Sequence, residues 1–138
     1  MNQPRLLGKT AIVTGSSRGI GRAIALAFGQ EGARVVVNGR HEDTQETAHL
    51  IARSGAEVLA GLGDVTREED VKRLVRETVE AFGTVDILVN NAGGGVPPQP
   101  IEEIDLEVWE REIRVNLTGA FLCCRAVIGE MKKKRWGR

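Results

Sequence analysis

No tyrosine occurs anywhere in the 138 residues, so no phenol is available as an acid or a base. Cysteine is confined to the adjacent pair Cys123 and Cys124. Neighbours on a helix point about 100° apart, so neither a disulfide framework nor a metal site is expected, and both read as small, reduced packing residues. An excess of one charge is also lacking: Lys+Arg and Asp+Glu are 19 each, for a formal net charge of +0. Without a field of one sign, nucleic acid, an anionic membrane and charged macromolecules are not expected partners. No apolar run approaches the ~18 residues of a membrane span. The opening "MNQPRLLGKT" has neither the basic head nor the long apolar core of a secretory signal. A soluble, cytoplasmic protein is expected, and at this length a single domain.

What is present is an alternation of short β-branched runs with amphipathic stretches, the pattern of a parallel sheet with helical crossovers. Strands are predicted at "TAIVTG" (Thr10 to Gly15), "ARVVVNGR" (Ala33 to Arg40), within "AEVLAGLGDV" up to Asp64, and at "VDILV" (Val85 to Val89). The first helix carries Ile20, Ala23, Ile24, Ala27 and Phe28 at the spacing of a face lying on the sheet. A weaker helix covers residues 42–54. In the third, Thr66 and Glu69 fit a capping box, the stripe runs Val71, Leu74, Val75, Val79, Phe82, and Gly83 supplies the stop. "NNAGGGVPPQP" is loop by its glycines and prolines. One long helix, residues 105–133, completes four strands and four helices. At about 100° per residue its face holds Trp109, Ile113, Ala120, Cys124, Val127 and Met131, with Asn116 inside it. A polar side chain on an apolar stripe needs hydrogen-bond partners or costs free energy.

Between the first strand and first helix lies "TGSSRGIG", with glycines at 15, 19 and 21. Glycine permits a tight turn and a close backbone approach, and a helix N-terminus offers N–H groups and partial positive charge to a phosphate. Strand before and helix after give this triplet the context of a pyrophosphate cradle. "GKT" at Gly8 to Thr10 is not a P-loop, because it enters a strand instead of leaving one.

Thr14-Gly15-x-x-x-Gly19-x-Gly21, Asp64-Val65, Asn90-Asn91-Ala92-Gly93 and Asn116 in "RVNLTGAF" occur in order, and together they resemble the short-chain dehydrogenase/reductase family. The wording is most similar to 3-oxoacyl-(acyl carrier protein) reductases and the sugar or polyol dehydrogenases near them. The resemblance implies an α/β, Rossmann-type doubly wound parallel sheet of order 3-2-1-4, with residues 1–138 forming its N-terminal, cofactor-binding part. It implies hydride transfer between a nicotinamide cofactor and a small carbonyl/alcohol substrate. The cofactor would be held by Thr14, Gly15, Ser17, Arg18, Gly19, Ile20, Gly21, Asn38, Arg40, Asp64, Val65, Asn90, Ala92 and Gly93. Asp64 would take the adenine edge with Val65 beside the ring, while Asn90, Ala92 and Gly93 would pass beneath the riboses.

In a Rossmann unit an acid ending the second strand binds the adenosine ribose hydroxyls, and a basic residue there accepts a 2′-phosphate. This sequence has Asn38-Gly39-Arg40. By resemblance Gly39 stands where NAD-preferring members carry Asp, and Arg40 with Arg18 would face the phosphate, so NADP is favoured over NAD. Glu42 and Asp43 are read as opening the following helix. In the family Asn116 kinks its helix and holds a water in the proton relay, while a Ser, a Tyr and a Lys beyond that helix perform the chemistry. None of those three is here, so the chain by itself is expected to be inactive; the rival reading is a non-catalytic NADP(H)-binding module.

The long helix carries further apolar residues, Leu106, Phe121 and Leu122, and by resemblance it would pack in a homo-oligomer. "VDILV" is expected on an open sheet edge with Asp86 its only charge. In "MKKKRWGR" the basic cluster would meet the helix C-terminus, Gly137 would stop the helix, and a fifth strand would follow.

Overall fold

The computed structural model describes residues 4–138. Its four strands are β1 (Thr10–Val13), β2 (Arg34–Gly39), β3 (Val58–Leu62) and β4 (Ile87–Val89), paired in parallel in the order β3-β2-β1-β4. The register places Ile12 between Val36 and Leu88. Five α-helices connect and cover them: α1 (Gly19–Gln30), α2 (Asp43–Arg53), α3 (Glu68–Phe82), α4 (Leu106–Ile113) and α5 (Gly119–Lys134).

Strand side chains alternate between two cores, as the two-residue period of a strand requires. Val13, Val35 and Val37 pack with Ala25, Ala48 and Ile51 under α1 and α2. Ile12 and Val36 pack with Leu74, Val85 and Val127 under α3 and α5. The layers are therefore helix, sheet, helix, and β1 and β2 are buried on both faces.

Several local expectations are corrected. Of the expected face of α1, Ile24 and Phe28 pack partly buried against the core, but the fully buried line is Gly21, Ala25 and Gly29, and Ile20, Ala23 and Ala27 are exposed. Small residues on that side let the helix sit close: a Cβ on Gly29 would lie 3.2 Å from Ile51. The capping box on α3 does not form. That helix begins at Glu68, and Thr66 donates its hydroxyl to Asp64 Oδ1 at 2.7 Å instead. Asp70 does the reaching back, accepting the Asp64 N–H at 3.0 Å. Gly83 stops α3 as expected, at φ 79°.

The single long helix is two helices joined by a π-helical segment, Arg114–Thr118. The wider turn shifts the phase: the buried line is Gly119, Cys123 and Val127, so Val127 and the partly buried Met131 of the expected face pack inward, while Trp109, Ile113 and Cys124 are exposed. α5 ends at Arg135 in the left-handed region at φ 51°, not at Gly137. The Arg135 N–H donates to Lys132 and the Trp136 N–H to Met131, the paired bonds of a Schellman motif.

Asp86 does not decorate the open edge. It is fully buried; its carboxylate accepts the Thr10 N–H at 2.9 Å and the Lys134 ammonium at 2.8 Å. Beside it, the Arg138 N–H donates to the Asp86 carbonyl at 3.1 Å and the Arg138 carbonyl accepts from the Leu88 N–H at 2.9 Å. That is the bonding of a residue paired in parallel on the outer side of β4.

Candidate functional site

Sheet order reverses between β1 and β4, one neighbour connecting through α1 and the other reached after α3. Ligands of open α/β sheets bind at such a switch point, outside the carboxyl ends of the strands. Three polar residues build the floor there. The Thr14 hydroxyl is buried; it donates to the Val89 carbonyl at 3.2 Å and accepts the N–H groups of Asn91 at 3.1 Å and Ala92 at 3.0 Å. Asn91 returns the connection, donating through Nδ2 to the carbonyls of Thr14 at 3.0 Å and Gly15 at 2.9 Å. The Asn38 amide, also buried, donates to the carbonyls of Gly61 and Gly63, each at 3.1 Å, and accepts the Gly15 N–H at 3.4 Å. Their side chains are thus turned inward, and they position the turn rather than line a ligand.

The glycines have their reasons here. Gly15 lies at φ 61°, and a Cβ on it would come 2.7 Å from the Ala92 Cα. A Cβ on Gly21 would strike the Asn91 amide. Gly19, at φ 59°, borders open space. α1 starts there with no side-chain cap and no acid in its first turn. An uncapped helix end above a glycine turn suits a phosphate group, so these residues fit a dinucleotide. Ser17 has its carbonyl held by the Arg22 guanidinium and by the Thr47 hydroxyl at 3.0 Å. Ile20 is 76% exposed beside this end.

A shallow cleft of about 350 Å³ flanks the switch, lined by Arg40, Leu62, Asp64, Arg67 and Arg73 among others. Ser17 and Gly39 pack against one another, with Ser17 Cβ 3.1 Å from where a Gly39 Cβ would be. Arg18 and Arg40, each one residue further on, are both exposed, and Arg40 lines the cleft. Arg73 is spent on Asp70 at 2.9 Å and on the Leu62 carbonyl. Asp64 bonds the Thr66 N–H through Oδ1 at 2.9 Å. Val65 is buried against Val71 and Cys123, so it joins the two helices on that side rather than facing the cleft.

On the other flank, Asn90 is exposed and donates to Cys124 Sγ at 3.3 Å. Asn116 is exposed rather than set in an apolar face. Its Nδ2 donates to the Glu112 carbonyl, four residues back, at 2.9 Å, which places a side-chain donor on the carbonyl that the helical ladder uses and accompanies the π segment. It also exchanges two 3.2 Å bonds with Gly94, and a Cβ on Gly93 would fall 2.7 Å from Asn116 Oδ1. Asn116 thus holds the glycine loop. Gly15 to Gly21 lie at the turn after β1, Asn38, Arg40 and Asp64 at the ends of β2 and β3, and Ala92, Gly93 and Asn116 about the loop after β4, whereas Val65 lies in the core and Asn90 bonds Cys124.

Asn91 and Ser16 were not among the expected site residues. Ser16 is buried and donates to the Val13 carbonyl at 2.7 Å while accepting the Asn38 N–H at 2.9 Å. Nothing in sequence spacing separates Ser16 from Ser17, or Asn91 from Asn90; only the inward direction of the side chain does.

The family model described as short chain dehydrogenase matches residues 9–138. The chain belongs to the short-chain dehydrogenase/reductase family. It is 47% identical over 132 residues to glucose 1-dehydrogenase 2 of Bacillus subtilis (strain 168), covering 93% of this chain and 50% of that protein. To glucose 1-dehydrogenase of Gluconobacter oxydans (strain 621H) it is 48% identical over 126 residues, covering 90% and 47%. A solved structure from Sinorhizobium meliloti 1021, described as a short-chain alcohol dehydrogenase, superposes with a TM-score of 0.91 at 38% identity, covering 99% of this chain and 54% of the other. The chain spans about half the length of the curated relatives it matches. The fold and family expectations hold, and the family implies a nicotinamide cofactor.

Proposed function

We propose that this chain forms the NADP(H)-holding part of a short-chain oxidoreductase that moves hydride between the cofactor and an alcohol/carbonyl pair. The observation that carries this is the uncapped α1 N-terminus above the Gly15 turn at the β1/β4 switch point. Bound there, the cofactor would supply the hydride chemistry. The chain's own residues would cradle the pyrophosphate at Gly15 to Gly21, meet a 2′-phosphate with Arg18 and Arg40, and hold the ribose-side loop through Asn116. NADP is preferred to NAD because Gly39 offers no carboxylate and both neighbouring exposed side chains are cations.

Of the two substrate classes the sequence suggests, a sugar or polyol is favoured over a 3-oxoacyl thioester, since two relatives are named glucose 1-dehydrogenase. No tyrosine is present to pass the proton, so the 138-residue chain alone would bind without turning over. The exposed line Trp109, Leu117 and Phe121 supports association with a second copy, and a cytoplasmic setting is proposed. Titration calorimetry with NADPH and NADH tests the assignment: tighter NADPH binding is expected, and binding of neither dinucleotide would overturn it.

A further inference from the structure

We propose that Thr44 keeps an acid out of position 39 and is thereby a specificity-determining residue for the adenosine end of the cofactor. The cofactor half of this statement rests on the dinucleotide reading above; the packing half does not.

Gly39 closes β2, and its φ is not in the left-handed region, so the backbone itself does not require glycine. Space does. A Cβ built on Gly39 would overlap Thr44 Oγ1, with Ser17 Cβ at 3.1 Å and Ser17 Oγ at 3.4 Å next. Neither neighbour is free to retreat. Thr44 lies in the first turn of α2 with 0% exposure, and its N–H is tied to the His41 carbonyl at 3.1 Å. Being β-branched and in a helix, it has few χ1 rotamers open to it, and at 0% exposure it has no solvent beside it into which to swing. Ser17 is fixed through its carbonyl by Arg22 and Thr47. Gly39 cannot withdraw either, because its carbonyl accepts the Gly63 N–H at 2.9 Å and it is in register with Leu62.

The Thr44 hydroxyl is buried and has no hydrogen-bond partner. A buried, unpaired hydroxyl costs free energy, so bonding within the fold does not account for it. Occupying the volume beside Gly39 does. The missing ribose-binding acid is therefore enforced by α2, and positions 39 and 44 are coupled.

The test uses the protein at its full natural length. Thermal midpoints without cofactor are compared for wild type, Gly39→Ala, Thr44→Ala and the double variant. Gly39→Ala is expected to lose several degrees, and adding Thr44→Ala to recover more than half of that loss; a wild-type midpoint for Gly39→Ala, or strictly additive losses, overturns the proposal. Calorimetry then compares NADH and NADPH. Gly39→Asp/Thr44→Ala is expected to shift the ratio of dissociation constants at least tenfold toward NADH, whereas Gly39→Asp alone weakens both equally. A tenfold shift from Gly39→Asp alone, or none in the double variant, overturns the specificity role. If Gly39→Asp fails to fold, the alanine cycle still decides the packing. Failure of wild type to bind either dinucleotide strikes the proposed function and leaves that cycle intact.

Discussion

Arg40→Asp reverses a charge in the cleft that Arg40 lines with Asp64. A charge-assisted contact to phosphate contributes about 1.5–3 kcal/mol, so NADPH binding is expected to weaken by about tenfold or more and NADH binding much less. Equal weakening of both in calorimetry would contradict the assignment. Gly15→Ala tests the cradle itself. The new methyl faces a left-handed φ of 61° and the Ala92 backbone at 2.7 Å, so a stability loss of about 1–3 kcal/mol is expected in urea titration. At this scale the sequence was informative about which residues gather at the turn. It was silent on direction: Thr14, Asn38 and Asn91 face inward, and nothing in their spacing says so.

Among the elements, α5 shows how a helix is fastened at its end. Lys134, in its last turn, reaches the buried Asp86 of the segment leading into β4. Burial alone would push the Asp86 carboxyl up; the Lys134 ammonium and the Thr10 N–H outweigh it and hold the group below its ordinary 3.8. With a lowered folded-state value, the unfolded chain binds the proton more readily. The contribution is therefore full above pH 4 to 5 and is lost as pH falls through the folded value. Lys134→Met strands a buried carboxylate. A loss of about 1–3 kcal/mol at neutral pH is expected, below the range for fully buried pairs because Lys134 is half exposed, and the loss should shrink as pH falls into the carboxylate range, where protonation relieves the stranded charge. Arg135→Gly should act oppositely: at φ 51° in a Schellman motif, glycine is expected to raise stability by about 0.5–1 kcal/mol, visible as a higher Tm. Helix and strand order was legible from periodicity, as was the packing of Ile24 and Phe28 on α1 and of Val127 and Met131 on α5, yet the burial of Gly21, Ala25 and Gly29 on α1 and of Gly119 and Cys123 on α5 was not. Glycine and alanine face the sheet in α1, where a hydrophobicity count looks for Ile20, and the π segment alters the phase that a constant 100° step assumes.

For the whole molecule, the apolar line over α4 and α5 and the outer side of β4 are the surfaces left without partners among the described residues, apart from Arg138. Trp109 is 56% exposed, as is Phe121. Sedimentation velocity is expected to show concentration-dependent self-association that Trp109→Glu with Phe121→Glu suppresses; a wild-type monomer at all concentrations would contradict it. The sequence by itself determined the alternation of strands and helices, the parallel sheet, the glycine turn and the lack of a phenolic acid. Each follows from local composition and period. Only the tertiary structure decided that Thr44 fills the space beside Gly39, that Asn116 grips Gly94 and that Asp86 pairs with Lys134. Those contacts join residues whose meeting depends on how helices settle on the sheet, and packing of that kind leaves no periodic trace in the chain.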